Sequence, residues 1–205
     1  MATRPNTHAE INEFRQAALI KGAIECVATG GFESATVRTI AAAAGTSRGL
    51  IGHYYGGRID LLVQSHKYLC DMISDRVARK VSRPGLSARE RLVLMAEVIF
   101  STAILNETNA KAFLGFWHAA GTYKEFAHNH EVLYASYRKE ATAAFRLANE
   151  EGASVDDPEL AAFSAIALID GFWLQISLEK KITRKQVIKA CTQFIDLQLA
   201  GSTEG

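Results

Sequence analysis

Thr36-Val37-Arg38-Thr39-Ile40-Ala41-Ala42-Ala43-Ala44-Gly45-Thr46-Ser47-Arg48-Gly49-Leu50-Ile51-Gly52-His53-Tyr54-Tyr55 turns on one residue, Gly45. Apolar residues on both sides recur at three- and four-residue steps, the period of a helix rather than a strand. An Ala-rich helix over Val37 to Ala44 therefore runs into Gly45, which can take the positive φ that a tight inter-helix turn needs. A second short helix follows, capped by Thr46 or Ser47 and reaching about Tyr55. Ala41 and Ala44 are small enough for two helices to cross closely, and Val37, Ile40, Ile51 and Tyr55 supply the shared core. That leaves Thr46, Ser47, Arg48, Leu50, His53 and Tyr54 on or near the outer face of the second helix, with Thr36 and Arg38 at the start of the first. Such a helix can enter the major groove of DNA with its N-terminal residues at base edges, while hydroxyls, backbone N–H groups and Arg meet phosphates.

Working outward, Thr7 with Glu10 makes a capping box ahead of a long first helix that ends at Gly30-Gly31. Three helices thus fill the first sixty residues, stopped by Gly56-Gly57. A helix from Arg58 to about Ser82 is broken by Arg83-Pro84-Gly85, and Ser87 with Glu90 caps the next, which is expected to reach Asn106. Helices follow over Asn109 to Ala120 and Glu125 to Glu150. Asp157-Pro158 is an Asp cap with Pro in the first turn, opening a helix to Leu178, and Thr183 with Gln186 opens the last, which ends near Ala200 before a polar tail, Gly201 to Gly205. The chain reads as all-α, with a three-helix DNA-binding domain over 1–57 and a helical ligand-binding and dimerisation domain over 58–205.

Bulk numbers narrow the function classes. With 48% hydrophobic and 22% charged residues in 205, the balance is that of a globular chain. Net charge is +1, and residues 1–60 hold six basic against five acidic side chains, so any nucleic-acid contact rests on where the Lys and Arg face rather than on their number. Three widely spaced Cys suggest neither a disulfide framework nor a metal site. The N-terminus lacks the apolar core of a signal peptide, and no apolar run is read as reaching the roughly 20 residues of a membrane span. A cytoplasmic protein without membrane contact or cofactor is expected.

The motif over 36–55 resembles the TetR family of repressors. Their signature has an Ile-Ala pair, a Gly turn, Ser, a small residue, and His-Tyr-aromatic closing the recognition helix; Leu19 to Phe32 matches the family's first helix. Thr46, Tyr55 and Gly56 depart from the usual residues. Arg58 occupies the place of a basic residue at the start of the fourth helix, which the resemblance makes a phosphate ligand. It also implies a homodimer on double-stranded operator DNA, released by a small-molecule effector. A rival motif lies in the same stretch, because Gly45-Thr46-Ser47-Arg48-Gly49 fits the G-x-S-x-G elbow of hydrolases. That elbow needs a strand before it and a parallel sheet around it, and here an Ala-rich helix precedes it. No enzyme is expected; a binding protein or enzyme that reuses the fold is the alternative.

Eleven of the 18 aromatic residues fall between Phe113 and Trp173. Phe113, Phe116 and Trp117 share one helical face and Tyr134 and Tyr137 another, while Asp170 sits in the apolar run Ala167-Leu168-Ile169-Asp170-Gly171-Phe172-Trp173-Leu174. Aromatic stripes at helical spacing also build cores, so both readings stand. The carboxylate needs a donor or a cation beside it. This half resembles the choline-responsive, betaine-operon repressor (BetI) branch through Phe116-Trp117, Leu133-Tyr134 with Tyr137-Arg138, and Leu168 to Leu174. The likeness implies a cationic amine such as choline, and rings over a quaternary ammonium contribute about 0.5–2 kcal/mol each. Phe113, Trp117, Tyr134, Tyr137, Asp170 and Trp173 are the candidate ligand-binding residues, with a non-amine apolar effector as the alternative. Of His118, His128 and His130, the last two are two apart on one helix and point to different faces, against shared ligation, so the three are read as solvated or capping. Apolar faces on the last two helices (Leu160, Phe163, Ala167, Leu174; Val187, Cys191, Phe194, Ile195, Leu199) are read as a four-helix interface between two copies, which would set recognition helices roughly 34 Å apart.

Overall fold

The computed structural model describes residues 7–179 and 181–201; the polar stretches at 1–6 and 202–205 lie outside the described residues. Its helices are α1 (His8–Gly30), α2 (Val37–Ala43), α3 (Gly49–Tyr54), α4 (Arg58–Val81), α5 (Ala88–Ile99), α6 (Glu107–Ala120), α7 (Lys124–Glu150), α8 (Pro158–Leu178) and α9 (Arg184–Ala200), with a single 3-10 turn at Phe32–Ser34. No strand forms among the described residues. The caps are those the sequence signals: Thr7 and Glu10 close a capping box on α1, Ser87 and Glu90 on α5, Thr183 and Gln186 on α9, and Asp157 accepts from the Leu160 N–H ahead of α8. Thr36 caps α2, in a box with Thr39.

Two expectations about helix extent change. The helix expected to reach Asn106 ends at Ile99, and irregular chain fills the gap to α6. The Ser101 hydroxyl donates to the Val98 carbonyl at 2.7 Å, a local bond that competes with continuation of the helix. In addition, α8 is long and apolar enough to cross a bilayer, contrary to the reading that no run reaches that length. Asp170 lies within it, and a carboxylate at that depth is costly in lipid.

Contacts group the chain into two units. The first holds the chain up to Cys70 with Glu107–Asn129, and the second holds Asp71–Asn106 with the chain from His130 onward. In the first unit α1 packs along α2 and α6, so α6, assigned from sequence to the second lobe, lies with α1 and α2. Its core stacks His66 on Phe116 (5.2 Å between centroids) and Phe126 (5.8 Å), with Phe32 edge-on to Phe126 at 5.4 Å. In the second unit α9 packs on α5 and α8 around Leu92, Phe145, Ala161, Ala162 and Ile195. Arg89 adds a two-pronged bond to Asp196 at 2.6 and 2.9 Å.

Gly22 decides how α1 meets α2. A methyl built there would stand 3.0 Å from the Ala44 nitrogen, 3.1 Å from its Cβ and 3.2 Å from the Ile40 carbonyl. The neighbours are mostly backbone, so they cannot rotate aside. Gly22→Val is expected to destabilise the protein by about 1–3 kcal/mol, the usual cost of overpacking. Urea denaturation checks this, and an unshifted midpoint would contradict the close approach.

Candidate functional site

Helix α2 ends in a Schellman motif: the Thr46 N–H donates to the Ala41 carbonyl (2.9 Å) and the Gly45 N–H to the Ala42 carbonyl (3.1 Å). Gly45 has φ +62°, the positive value expected of it. The chain then enters α3 through two three-residue turns, Leu50 N–H to Ser47 O and Ile51 N–H to Arg48 O, both 3.2 Å. Consequently α3 starts at Gly49 with Arg48 in the cap position and no side-chain cap, rather than on a Thr46 or Ser47 hydroxyl. Ile40 and Ile51 are buried as the shared core, while Val37 and Tyr55 are half-buried. Ser47 sits in the turn between two helices, not after a strand.

The candidate DNA-reading residues separate by exposure. Thr36, Arg38, Ser47, Arg48 and His53 are exposed. Thr46, Leu50 and Tyr54 are half-buried, and the Thr46 hydroxyl has no hydrogen-bond partner among the described residues. Tyr54 donates its hydroxyl to Asn12 Oδ1 at 2.7 Å and Tyr55 to the Gln16 carbonyl at 3.3 Å, so the end of α3 is tied to α1. Arg58 is turned inward. Its Nε donates to the Ala35 carbonyl (2.7 Å) and its Nη2 to the Phe32 carbonyl (2.6 Å), so the side chain expected on phosphate is engaged within the protein.

The candidate ligand residues fall in two groups. Phe113 and Trp117 lie in the first unit with their rings 6.4 Å apart, and Phe113 is a buried ring edge-on to His66 at 6.3 Å. Tyr134, Tyr137, Asp170 and Trp173 lie in the second. There the Tyr134 hydroxyl donates to Asp170 Oδ1 at 2.8 Å, the donor that the sequence reading required for this carboxylate, and the Tyr137 ring stands 5.9 Å from that of Tyr134. Trp173 is buried one turn further along α8.

His130, read from sequence as solvated or capping, belongs to this cluster. Its ring stacks on Tyr134 at 4.1 Å and 27°, and its Nδ1 is buried without a hydrogen-bond partner among the described residues. The i, i+4 spacing of His130 and Tyr134 on α7 was the signal that could have found it. Among the described residues no group of three His, Cys, Asp or Glu gathers for a metal ion.

Burial pushes the Asp170 carboxyl up to about 6, against the opposing pull of the Tyr134 hydrogen bond. The same loss of water holds His130 below its ordinary value, helped by the Arg138 charge and resisted by Glu131. At neutral pH the cluster is therefore a carboxylate walled by neutral rings. A cation beside Asp170 would restore to the carboxylate the stabilisation that burial removed.

Known proteins resemble both halves. The model for bacterial regulatory proteins of the tetR family matches residues 19–64, and that for the C-terminal part of BetI-type transcriptional repressors matches residues 88–200. The HTH-type transcriptional regulator BetI 1 of Chromohalobacter salexigens is 29% identical over 196 residues, 92% of each chain. A solved transcriptional regulator from Pseudomonas aeruginosa PAO1 is 33% identical with a TM-score of 0.83, covering 92% of both chains. A regulator from Saccharomonospora viridis, solved in complex with choline, has TM-score 0.79 at 20% identity over 88% of this chain and 95% of its own, a likeness of fold alone.

Tyr134→Phe removes the hydroxyl that favours the ionised form of Asp170. Its carboxyl should then titrate above the value of about 6. Carbon NMR of the labelled side chain reads the midpoint, and an unmoved one would show that this bond does not support the charge.

Proposed function

Because the chain belongs to the TetR family of bacterial regulators and carries a BetI-type repressor C-terminal domain, we propose that it acts in the cytoplasm as a homodimeric repressor of a roughly palindromic operator, released when choline or a related amine binds beside Asp170. Residues 1–57 supply the DNA-reading part and 58–205 the effector and pairing part. The exposed set Thr36, Arg38, Ser47, Arg48 and His53 meets phosphates and base edges, with Thr46, Leu50 and Tyr54 at its margin. The observation that carries the effector reading is the Tyr134–Asp170 bond flanked by His130 and Tyr137. Trp173, one turn along α8, is the further ring of the site. Release follows if the amine binds better to the form that does not hold DNA, with α4, which contributes residues to both units, as the element that responds.

The pairing surface is narrower than the sequence implied. Val187, Cys191 and Ile195 of α9 are buried within the chain itself, whereas Leu160, Phe163, Leu174 and Leu178 of α8 are 60%, 61%, 42% and 66% exposed. A soluble regulator would cover such a stripe with a second copy. Sedimentation at micromolar concentration should give a dimer without detergent, and a monomer would remove this part of the reading.

Operator binding is tested by a mobility shift with the DNA upstream of the protein's own coding region, and Arg48→Ala should weaken it while leaving the fold intact. Choline binding is tested by calorimetry against pH. Lowering the pH through about 6 neutralises Asp170 and so removes the charge that attracts a cation. Affinity should therefore fall about tenfold between pH 7 and pH 5, and Asp170→Asn should bind weakly with a flatter profile. Binding that is indifferent to pH and to Asp170→Asn would point to a non-amine apolar effector.

A further inference from the structure

The Phe32–Ala35 stretch links α1 to α2, with Phe32 and Ala35 buried. Ala35 is wholly buried at the exit of the 3-10 turn, immediately before the Thr36 cap. A buried carbonyl in irregular chain needs a donor. Arg58, the first residue of α4, supplies one: Nε to Ala35 O at 2.7 Å, while Nη2 bonds Phe32 O at 2.6 Å. The same guanidinium lies over the Phe32 ring at 5.0 Å and 3.4 Å from Glu33 Oε2, and the side chain is only 23% exposed.

We propose that Arg58 is a positioning residue for DNA reading, a pin that ties the first turn of α4 to the backbone entering α2, so that the direction of α4 sets the pose of α2 and α3. The inference rests on the DNA-binding reading above and changes the role of this residue within it. A planar guanidinium can bond two separate carbonyls with parallel donors, which an ammonium cannot reproduce in the same geometry. Displacement of the first turn of α4 pulls directly on Phe32 and Ala35. Since the Thr36 cap of α2 follows Ala35 directly and α2 passes through the Gly45 turn into α3, the displacement reaches the reading helix.

A pin and a phosphate ligand answer differently to Lys and to salt. Operator affinity is measured across a series of salt concentrations for the wild type, Arg58→Lys and Arg58→Ala, with amide hydrogen exchange over 36–43 followed in the DNA-free proteins. For a pin, both variants bind the operator at least about tenfold more weakly, with the wild-type slope of log affinity against log salt, and the α2 amides exchange faster in both. For a phosphate ligand, Arg58→Lys binds as the wild type does and Arg58→Ala loses about one phosphate from the slope, a result that overturns the proposal. Wild-type exchange rates in Arg58→Lys would overturn it as well. Should the wild type itself bind no DNA, the regulatory reading falls, and the exchange measurement still judges the pin.

Discussion

The backbone of α2 rests on α1 at Gly22, where a single added methyl would meet the Ala44 nitrogen and the Ile40 carbonyl. This approach places α2 directly, and α3 inherits its position through the Schellman turn at Gly45. Two ties hold the far side of the arrangement: Tyr54 and Tyr55 reach back to α1, and Arg58 holds the chain just ahead of α2. A helix of six residues has little stability of its own. Its orientation is thus supplied by its neighbours, with Ser47 and Arg48 exposed just ahead of it and His53 exposed within it.

In the second unit the organising group is a carboxylate in an apolar helix. Asp170 would be destabilising in α8 without a partner, and the Tyr134 hydroxyl offsets only part of the loss of water, as its raised titration shows. A charge held with incomplete compensation is a place where a bound cation gains most. The rings of His130 and Tyr137 both stand against that of Tyr134, which bonds the carboxylate.

Helix α8 carries both this site and the exposed apolar stripe, with Ala161, Ala162 and Trp173 its buried residues. Asp170 thus shares one helix with the exposed side chains of Leu160, Phe163, Leu174 and Leu178.

Local chemistry fixed much of this in the sequence. Caps at Thr7, Ser87, Asp157 and Thr183, the positive φ of Gly45 and the core positions Ile40 and Ile51 are decided by residues a few places apart, so they could be read directly. Asp170 was legible as a carboxylate in need of a partner, because the apolar run around it is contiguous. What the chain order could not state was who meets whom at long separation. The inward turn of Arg58 onto Phe32 and Ala35, the burial of Val187, Cys191 and Ile195 inside one chain, and the grouping of α6 with α1 each depend on contacts across more than twenty residues. A side chain's type fixes which bonds it can make, and only tertiary packing chooses among the partners on offer: Arg58 suits a phosphate and a buried carbonyl equally well, and the fold brought the carbonyl.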